Sequence, residues 1–460
     1  MRHFDAIIIG AGQAGTPLAK KLAESGKKTA IIEKRIVGGT CINDGCTPTK
    51  AMIASAKAAH QARNAGDLGV IIGDVKVDLK KIKKRKDEIV DSFRSSSEKG
   101  IATTENLELI MGEAVFTSPK TVSINLKEGG TEEVSADWIF INTGAKTIIP
   151  DIEGIKTIDY LTSTSILDLE EVPEHLVVIG GNYIGLEFGQ MYSRFGSKVT
   201  VLEKSTRLLS REDEDIAEEL TKILTEEDIE ILTDSQVNKI TKTNEEIVIE
   251  LDVKGKSSTL KCSHVLVAVG RKPQTETLQL DLAGVEMDEK GNILVNDKLE
   301  TNVAGVYALG DVKGGPAFTH IAYNDYTIVY RNLIEGTNYS IKERPIPYCM
   351  FTDPQLGRVG ISEIEAKKQG LNFKVAVLPM AQVARGIETG QTKGMMKAIV
   401  DADTKQILGA SMLAAEGGEI MSILEMAMEG GITYDQIRYC VFAHPTYAES
   451  LNNLFMKITD

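Results

Sequence analysis

Two cysteines with four residues between them stand in the segment Gly38-Gly39-Thr40-Cys41-Ile42-Asn43-Asp44-Gly45-Cys46-Thr47-Pro48-Thr49-Lys50. A pair this close can be oxidised and reduced with little rearrangement of the chain. A thiolate at the start of a helix is also stabilised by the helix N-terminus, and Thr49 to Ala59 reads as such a helix. Cys41 and Cys46 are therefore candidates for a redox-active disulfide. The other readings are half of a zinc site or two ordinary core cysteines. Zinc would want a second Cys/His pair at similar spacing, and the chain offers none. The remaining cysteines, Cys262, Cys349 and Cys440, are scattered, and an odd total argues against a secreted disulfide scaffold.

Thiol chemistry also needs a group that accepts and donates protons near neutral pH, and histidine is the usual choice. Near the C-terminus the chain reads Phe442-Ala443-His444-Pro445-Thr446-Tyr447-Ala448-Glu449. Glu449 can orient the His444 ring and stabilise its charged form. Taken alone, such a pair is more often structural than catalytic.

The elements that would position these groups are legible from hydrophobic pattern. Residues 5–10 read as a buried parallel strand, Thr16 to Ser25 as a helix and Lys28 to Glu33 as a second strand. Between the first strand and the helix lies Gly10-Ala11-Gly12-Gln13-Ala14-Gly15, a G-x-G-x-x-G match. The first glycine allows a tight turn, the second lets backbone approach a pyrophosphate, and the third lets helix pack close to sheet. The helix N-terminus favours the phosphates, and Glu33 is placed to accept from ribose hydroxyls. The pattern returns with strand 175–180, helix 184–195 and strand 198–203. The spacing from Gly180 to Glu203 equals that from Gly10 to Glu33.

The second copy reads Gly180-Gly181-Asn182-Tyr183-Ile184-Gly185, so asparagine replaces the middle glycine. That side chain crowds the pyrophosphate, although asparagine tolerates unusual backbone angles. A dinucleotide site is still expected there. Glu203 favours a free ribose 2′-hydroxyl, hence NADH, while nearby Lys204 and Arg207 leave NADPH open. Each unit is followed by a strand ending in a glycine turn, at Ile139–Gly144 and Val265–Gly270. We expect a first dinucleotide domain at 1–150 and 274–344, a second at 151–273, and an α+β domain at 345–460 with strand-like runs at 373–379, 395–400 and 407–412.

Bulk properties narrow the class. A chain of 460 residues suffices for about three domains. A formal charge of −14 disfavours nucleic acid as a partner. No apolar run approaches the roughly 18 residues needed to span a bilayer. The apolar stretch Phe4–Gly10 is too short for a signal-peptide core, so a cytoplasmic location and no membrane partner are expected. The one strong basic run, Lys80, Lys81, Lys83, Lys84, Arg85 and Lys86, reads as the solvated face of a helix.

Along essentially its whole length the sequence resembles the class I flavoprotein disulfide reductases. The resemblance rests on GGTCxNxGCxPxK at 38–50, TG at 143–144, TNVAGVYALGDV at 301–312 and HPTYAE at 444–449. It implies an α/β fold with two Rossmann-like domains, for FAD and NAD, plus a C-terminal α+β dimerisation domain. It also implies a homodimer with a shared active site, in which His444 and Glu449 face the disulfide of the other subunit. Cys46 would lie against the flavin as the charge-transfer thiolate, and Cys41 would attack substrate. Lys50 and Glu187 resemble the pair beside the flavin ring, and Tyr183 the gate over the nicotinamide pocket. Asp311 would bind the ribityl chain. The remaining cofactor contacts implied are Gly10, Gly12, Gly15, Glu33, Lys34, Thr40, Ala114, Thr143, Gly144 and Gly310 with FAD in view, and Gly180, Ile184, Gly185, Glu203 and Gly270 for the nicotinamide nucleotide.

The expected activity is electron transfer from NADH through FAD and the Cys41/Cys46 disulfide to a small sulfur-containing or oxidant acceptor, such as hypothiocyanous acid. Dihydrolipoamide dehydrogenase is the first alternative. A mercuric reductase-like, NADH oxidase or diaphorase activity is the second. Mercuric reductases end in a vicinal cysteine pair, whereas this chain ends Met456-Lys457-Ile458-Thr459-Asp460, so efficient Hg(II) reduction is not expected. Asp44, inside the redox motif, is expected to repel anionic substrates and alter the thiolate pKa.

Overall fold

The computed structural model describes residues 1–243, 246–342 and 344–459. The chain forms two compact units, each assembled from separated segments. One comprises Met1–Ala51, Lys83–Ile148 and Gly270–Arg344, and the other Met52–Ile82, Ile149–Val269 and Pro345–Asp460.

In the first unit the Arg2–Ile9 strand lies between Thr29–Glu33 and Thr131–Ile141, parallel to both. Val306–Ala308 extends the sheet beyond Thr131–Ile141, and Leu107–Ser118 extends it beyond Thr29–Glu33. The first strand is apolar at consecutive positions because both faces are covered. Ile7 and Ile9 enter one apolar cluster while Ala6 and Ile8 enter another. The far ends of the two long strands leave the parallel sheet and join Thr121–Leu126 in an antiparallel meander. The Gly15–Glu24 helix buries Leu18, Ala19, Leu22 and Ala23, the spacing of one helical face.

The second unit holds a four-stranded parallel sheet in the order His264–Val267, His175–Ile179, Lys198–Leu202, Glu230–Leu232. An antiparallel meander, Ser235–Lys242, Ile247–Val253 and Lys256–Cys262, follows in sequence. Its last segment forms a five-stranded antiparallel sheet. Three of those strands, Phe373–Pro379, Met395–Asp401 and Ile407–Ala414, follow the sequence reading. Two others, Tyr348–Met350 and Gln355–Gly360, escape it. The second of these carries a buried arginine, Arg358, between two glycines, which disguises a core strand.

The redox segment also departs from expectation. Instead of one helix from Thr49, there are two: Gly39–Asp44, which carries Cys41, and Cys46–Arg63, which opens on the second cysteine. The basic run lies in the Leu79–Ala102 helix. It is not uniformly solvated: Lys86 is buried and paired with Asp87 at 2.5 Å. Among the described residues no helix is long and apolar enough to cross a membrane.

Candidate active site

The two glycine loops have the same geometry although they lie in different units. Gly10 (φ +106°) sits so close to the Asn142 carbonyl that a Cβ would come within 2.4 Å of it. Gly180 (φ +117°) stands the same way over the Ala268 carbonyl at 2.5 Å. A Cβ on Gly15 or on Gly185 would lie 2.1 Å from the carbonyl of Gly10 or Gly180 respectively. Only glycine satisfies both conditions in each loop.

The acidic residues match as well. Glu33 accepts from the Ala11 and Arg35 amides at 2.9 and 2.8 Å. Glu203 accepts from the Gly181 and Ser205 amides at 2.7 Å each. Each carboxylate is thereby fixed and keeps lone pairs for ribose hydroxyls. The middle position differs. Asn182 has ordinary extended backbone, and its side chain accepts from the Tyr183 amide at 2.9 Å. Asparagine is thus used here as a helix cap and not for tolerance of an unusual backbone angle.

The first cradle suits a dinucleotide on three grounds. Thr16 Oγ1, directly after the glycine loop, is buried with no hydrogen-bond partner among the described residues. The loop backbone is closely approached, since a Cβ on Gly39 would come within 2.7 Å of Gly12 Cα. Asp311 is half-buried, and the loss of water around it pushes its carboxyl up against the pull of Arg271 and Lys313. The Thr143–Gly144 turn is pinned by Gln274, whose carbonyl accepts from Thr143 Oγ1 at 2.8 Å and whose amide donates to Gly144 at 2.9 Å. Ala114 is buried in the Leu107–Ser118 strand, and Lys34 lies 3.6 Å from Glu113. Gly270 belongs to this unit too, its carbonyl accepting from the Ile148 amide at 2.9 Å.

Gly39 and Thr40 lead from that cradle straight into the thiols. Cys41 and Cys46 are both in the thiol form, the first partly buried and the second exposed. The hydrogen bond with Cys46, followed by burial, pushes the Cys41 thiol far above its ordinary value. Neighbouring side chains hold the segment in place. Asn43 donates to the Val37 and Gly39 carbonyls at 2.9 Å each and accepts from Arg94 at 2.8 Å. Asp44 is turned onto the Arg35 guanidinium. The charge that the sequence places inside the motif is therefore neutralised by a neighbour. Arg85 donates to the Ala51 carbonyl at 2.9 Å, just beyond Lys50. Among the described residues no group of three or more His, Cys, Asp or Glu side chains could hold a metal ion.

In the second unit Tyr183 and Glu187 share a face of the Tyr183–Phe195 helix, with Ile184 beside them. Glu187 is buried and accepts from the Phe351 amide at 2.8 Å. Further along the same face, Gln190 exchanges hydrogen bonds with Asp353 backbone at 2.8 and 2.9 Å. Arg194 then binds the Asp353 carboxylate at 2.8 Å. His444 Nδ1 lies 2.9 Å from Glu449 Oε2, and the ring is largely exposed. With Glu449 accepting a hydrogen bond from Nδ1–H, Nε2 is left to exchange protons with a substrate.

Three groups escaped the sequence reading. Thr319 Oγ1 lies 3.3 Å from Cys46 Sγ. Asp325, fully buried, accepts from the Gly310 amide at 2.8 Å and pairs with Lys313 and Arg344 at 3.4 and 2.7 Å. Arg194 is the third. Only Thr319 carried a signal, as a hydroxyl residue where a helix begins after the 301–312 motif.

Fold and site together define a redox enzyme that handles two dinucleotides and works through a thiol pair. The family model "Pyridine nucleotide-disulphide oxidoreductase" matches residues 4–325, and the dimerisation domain of the same name matches 346–455. The chain belongs to this family, among the flavoprotein disulfide reductases that use pyridine nucleotides. It is 37% identical over 462 residues to the "Probable pyridine nucleotide-disulfide oxidoreductase RclA" of Escherichia coli (strain K12), with 100% of both chains covered. It is 35% identical over 448 residues to a mercuric reductase of Bacillus cereus, covering 97% of this chain and 70% of that protein. It is 32% identical over 447 residues to the dihydrolipoyl dehydrogenase of Bacillus subtilis (strain 168), covering 97% and 94%. The solved "Cu(II) complex of HOCl-induced flavoprotein disulfide reductase RclA from Escherichia coli" matches with a TM-score of 0.91 at 36% identity, over 100% of both chains.

Proposed function

We propose that this protein is an NADH-driven reductase that holds FAD and passes electrons through the Cys41/Cys46 pair to a small oxidant. The observation that carries this reading is the attachment of the thiols to the first dinucleotide cradle. Gly39, two residues before Cys41, packs on the backbone of Gly12. The cradle residues Gly10, Gly12, Gly15 and Glu33, with Thr16 and Asp311, hold FAD in this reading, and Gly180, Gly185 and Glu203 hold NADH. Lys50 and Glu187 serve the flavin and Tyr183 the nicotinamide. The domains are 1–150 with 274–344 for FAD, 151–273 for NADH and 345–460 for dimerisation.

FAD, when bound, takes the two electrons of a nicotinamide hydride and delivers them to a disulfide. The thiols do the rest. The Cys41 thiolate attacks the electrophilic sulfur of an acceptor such as hypothiocyanous acid and releases hydroxide. Cys46 then attacks the Cys41 sulfur and closes the disulfide, releasing thiocyanate. His444, oriented by Glu449, supplies the proton for the leaving hydroxide. The family's dimerisation domain supports a homodimer in which His444 serves the thiols of the second copy.

The relative found as an HOCl-induced reductase matches this chain end to end, which supports a small oxidant over lipoamide. Anaerobic NADH consumption with hypothiocyanous acid and with lipoamide tests the choice. Fast turnover of the oxidant alone is expected, and fast turnover of lipoamide makes the protein a dihydrolipoyl dehydrogenase. Cys41→Ser and Cys46→Ser should each abolish acceptor reduction while retaining flavin. Full turnover in either variant would overturn the reading.

A further inference from the structure

The Thr319–Ile334 helix begins beside Cys46. Its N-cap residue, Phe318, has extended backbone, and among the described residues no side chain caps this end with a hydrogen bond. Thr319 is the first helical residue. Inside a helix a threonine hydroxyl commonly turns back to the carbonyl one turn earlier, as Thr327 does to Tyr323 at 3.1 Å. At the first position no helical carbonyl precedes it. The hydroxyl instead projects past the helix end, and its oxygen lies 3.3 Å from Cys46 Sγ. It also reaches Cys41, whose thiol it pulls down against the larger upward push of Cys46 and burial.

The support for this hydroxyl is rigid. Further along the same helix, fully buried Asp325 accepts the Gly310 amide and pairs with Lys313 and Arg344. The helix that presents Thr319 is thereby tied to the turn that carries Asp311. A hydroxyl has one hydrogen to give, and a thiolate can only accept. When the reduced pair carries a single negative charge, the Thr319 hydrogen therefore goes to whichever sulfur bears it. The positive end of the helix favours charge at the same place.

We propose that Thr319 is a further catalytic residue: its hydroxyl donates to the Cys46 sulfur and holds it as the thiolate of the reduced enzyme, leaving Cys41 to meet the acceptor. This rests on the reading above, in which Cys46 is the flavin-side sulfur. The test uses the FAD-loaded enzyme, reduced anaerobically with stoichiometric NADH and titrated with acid and base. The readout is the long-wavelength charge-transfer absorbance between thiolate and flavin. In Thr319→Val the pH midpoint of that band is expected to move up by about one unit, a tenfold loss of thiolate worth ~1.4 kcal/mol. Thr319→Ser should restore the wild-type midpoint. Thr319→Ala, which removes the hydroxyl with less bulk, is read the same way, so a folding defect in one variant does not decide the matter. An unchanged midpoint in flavin-loaded Val or Ala variants overturns the role of Thr319 alone. A wild-type band that persists in Cys46→Ser overturns the reading on which it rests.

Discussion

Asp44 shows how a residue's chemistry depends on what its side chain meets. Read in the chain, a carboxylate between two reactive cysteines suggests repulsion of anions. In the fold it is committed to Arg35, while Asn43 beside it ties the loop to Val37 and Gly39. Asp44→Asn is therefore expected to leave the ranking of acceptors unchanged. It should cost only about 0–1 kcal/mol of stability, because the Arg35 side of the pair is exposed. Acceptor kinetics and a denaturant titration check both statements, and a changed ranking would give Asp44 a direct role in selection. His444 is the opposite case, a side chain with one structural partner and an open face. His444→Ala should lower acceptor turnover by about 10²–10⁴-fold with flavin retained. Glu449→Gln should lower it by less, since it orients the ring without itself moving the proton.

At the scale of elements, the Tyr183–Phe195 helix is held along one face by a single turn of chain. Glu187, Gln190 and Arg194 grip Phe351 and Asp353 in succession. The Cys46–Arg63 helix joins the same network through Arg63, which donates to the Arg194 carbonyl at 2.6 Å, and through Lys57, 3.7 Å from Asp353. Arg194 is buried between Glu227 and Asp353. Arg194→Met should strand two largely buried carboxylates and cost ~3–5 kcal/mol, measurable by chemical denaturation. The pH dependence follows from the same contacts. Burial pushes the Asp353 carboxyl up, but Arg194 and Lys57 outweigh it and hold it below its ordinary value. Burial, then the Arg194 charge, holds His60 below its ordinary value. In both cases the unfolded chain binds the proton more readily. Stability is therefore present at neutral pH. It is lost first as pH falls through the ordinary histidine range, and again as it falls through and below the ordinary carboxylate range. In Arg194→Met the lower of these two losses should shrink, which melting curves taken across pH will show.

For the whole molecule, the proposed dimer makes a prediction no single subunit can. If His444 serves the thiols of the other copy, Cys41→Ser and His444→Ala are inactive for complementary reasons. Co-refolding or co-expressing the two should produce mixed dimers with one intact site each. Random assortment would give about a quarter of wild-type turnover, since half the dimers are mixed and each has one working site. No recovery, with mixed dimers demonstrated by differently tagged subunits, would place His444 and the thiols of one chain in the same site.

Much of this protein is determined by the sequence alone, because the responsible physics is local. The glycine loops at 10–15 and 180–185 are legible because only glycine permits the backbone approaches seen there. The Arg2–Ile9 strand announces burial on both faces by the apolar run Ala6–Ile9 at its end. Cys41 and Cys46 declare themselves by spacing, and Glu33 and Glu203 by distance from their loops. What the fold alone decided involves partners far apart along the chain. Cys46 and Thr319 are 273 positions apart, and Arg194 and Asp353 are 159. Nothing in the local pattern of either residue names the other, since a hydroxyl or guanidinium acquires its partner only when separate segments pack. Asp44 is a nearer case: the sequence displays its charge, but a separation of nine positions matches no fixed local contact, so its neutralisation depends on how the loop folds Arg35 against it.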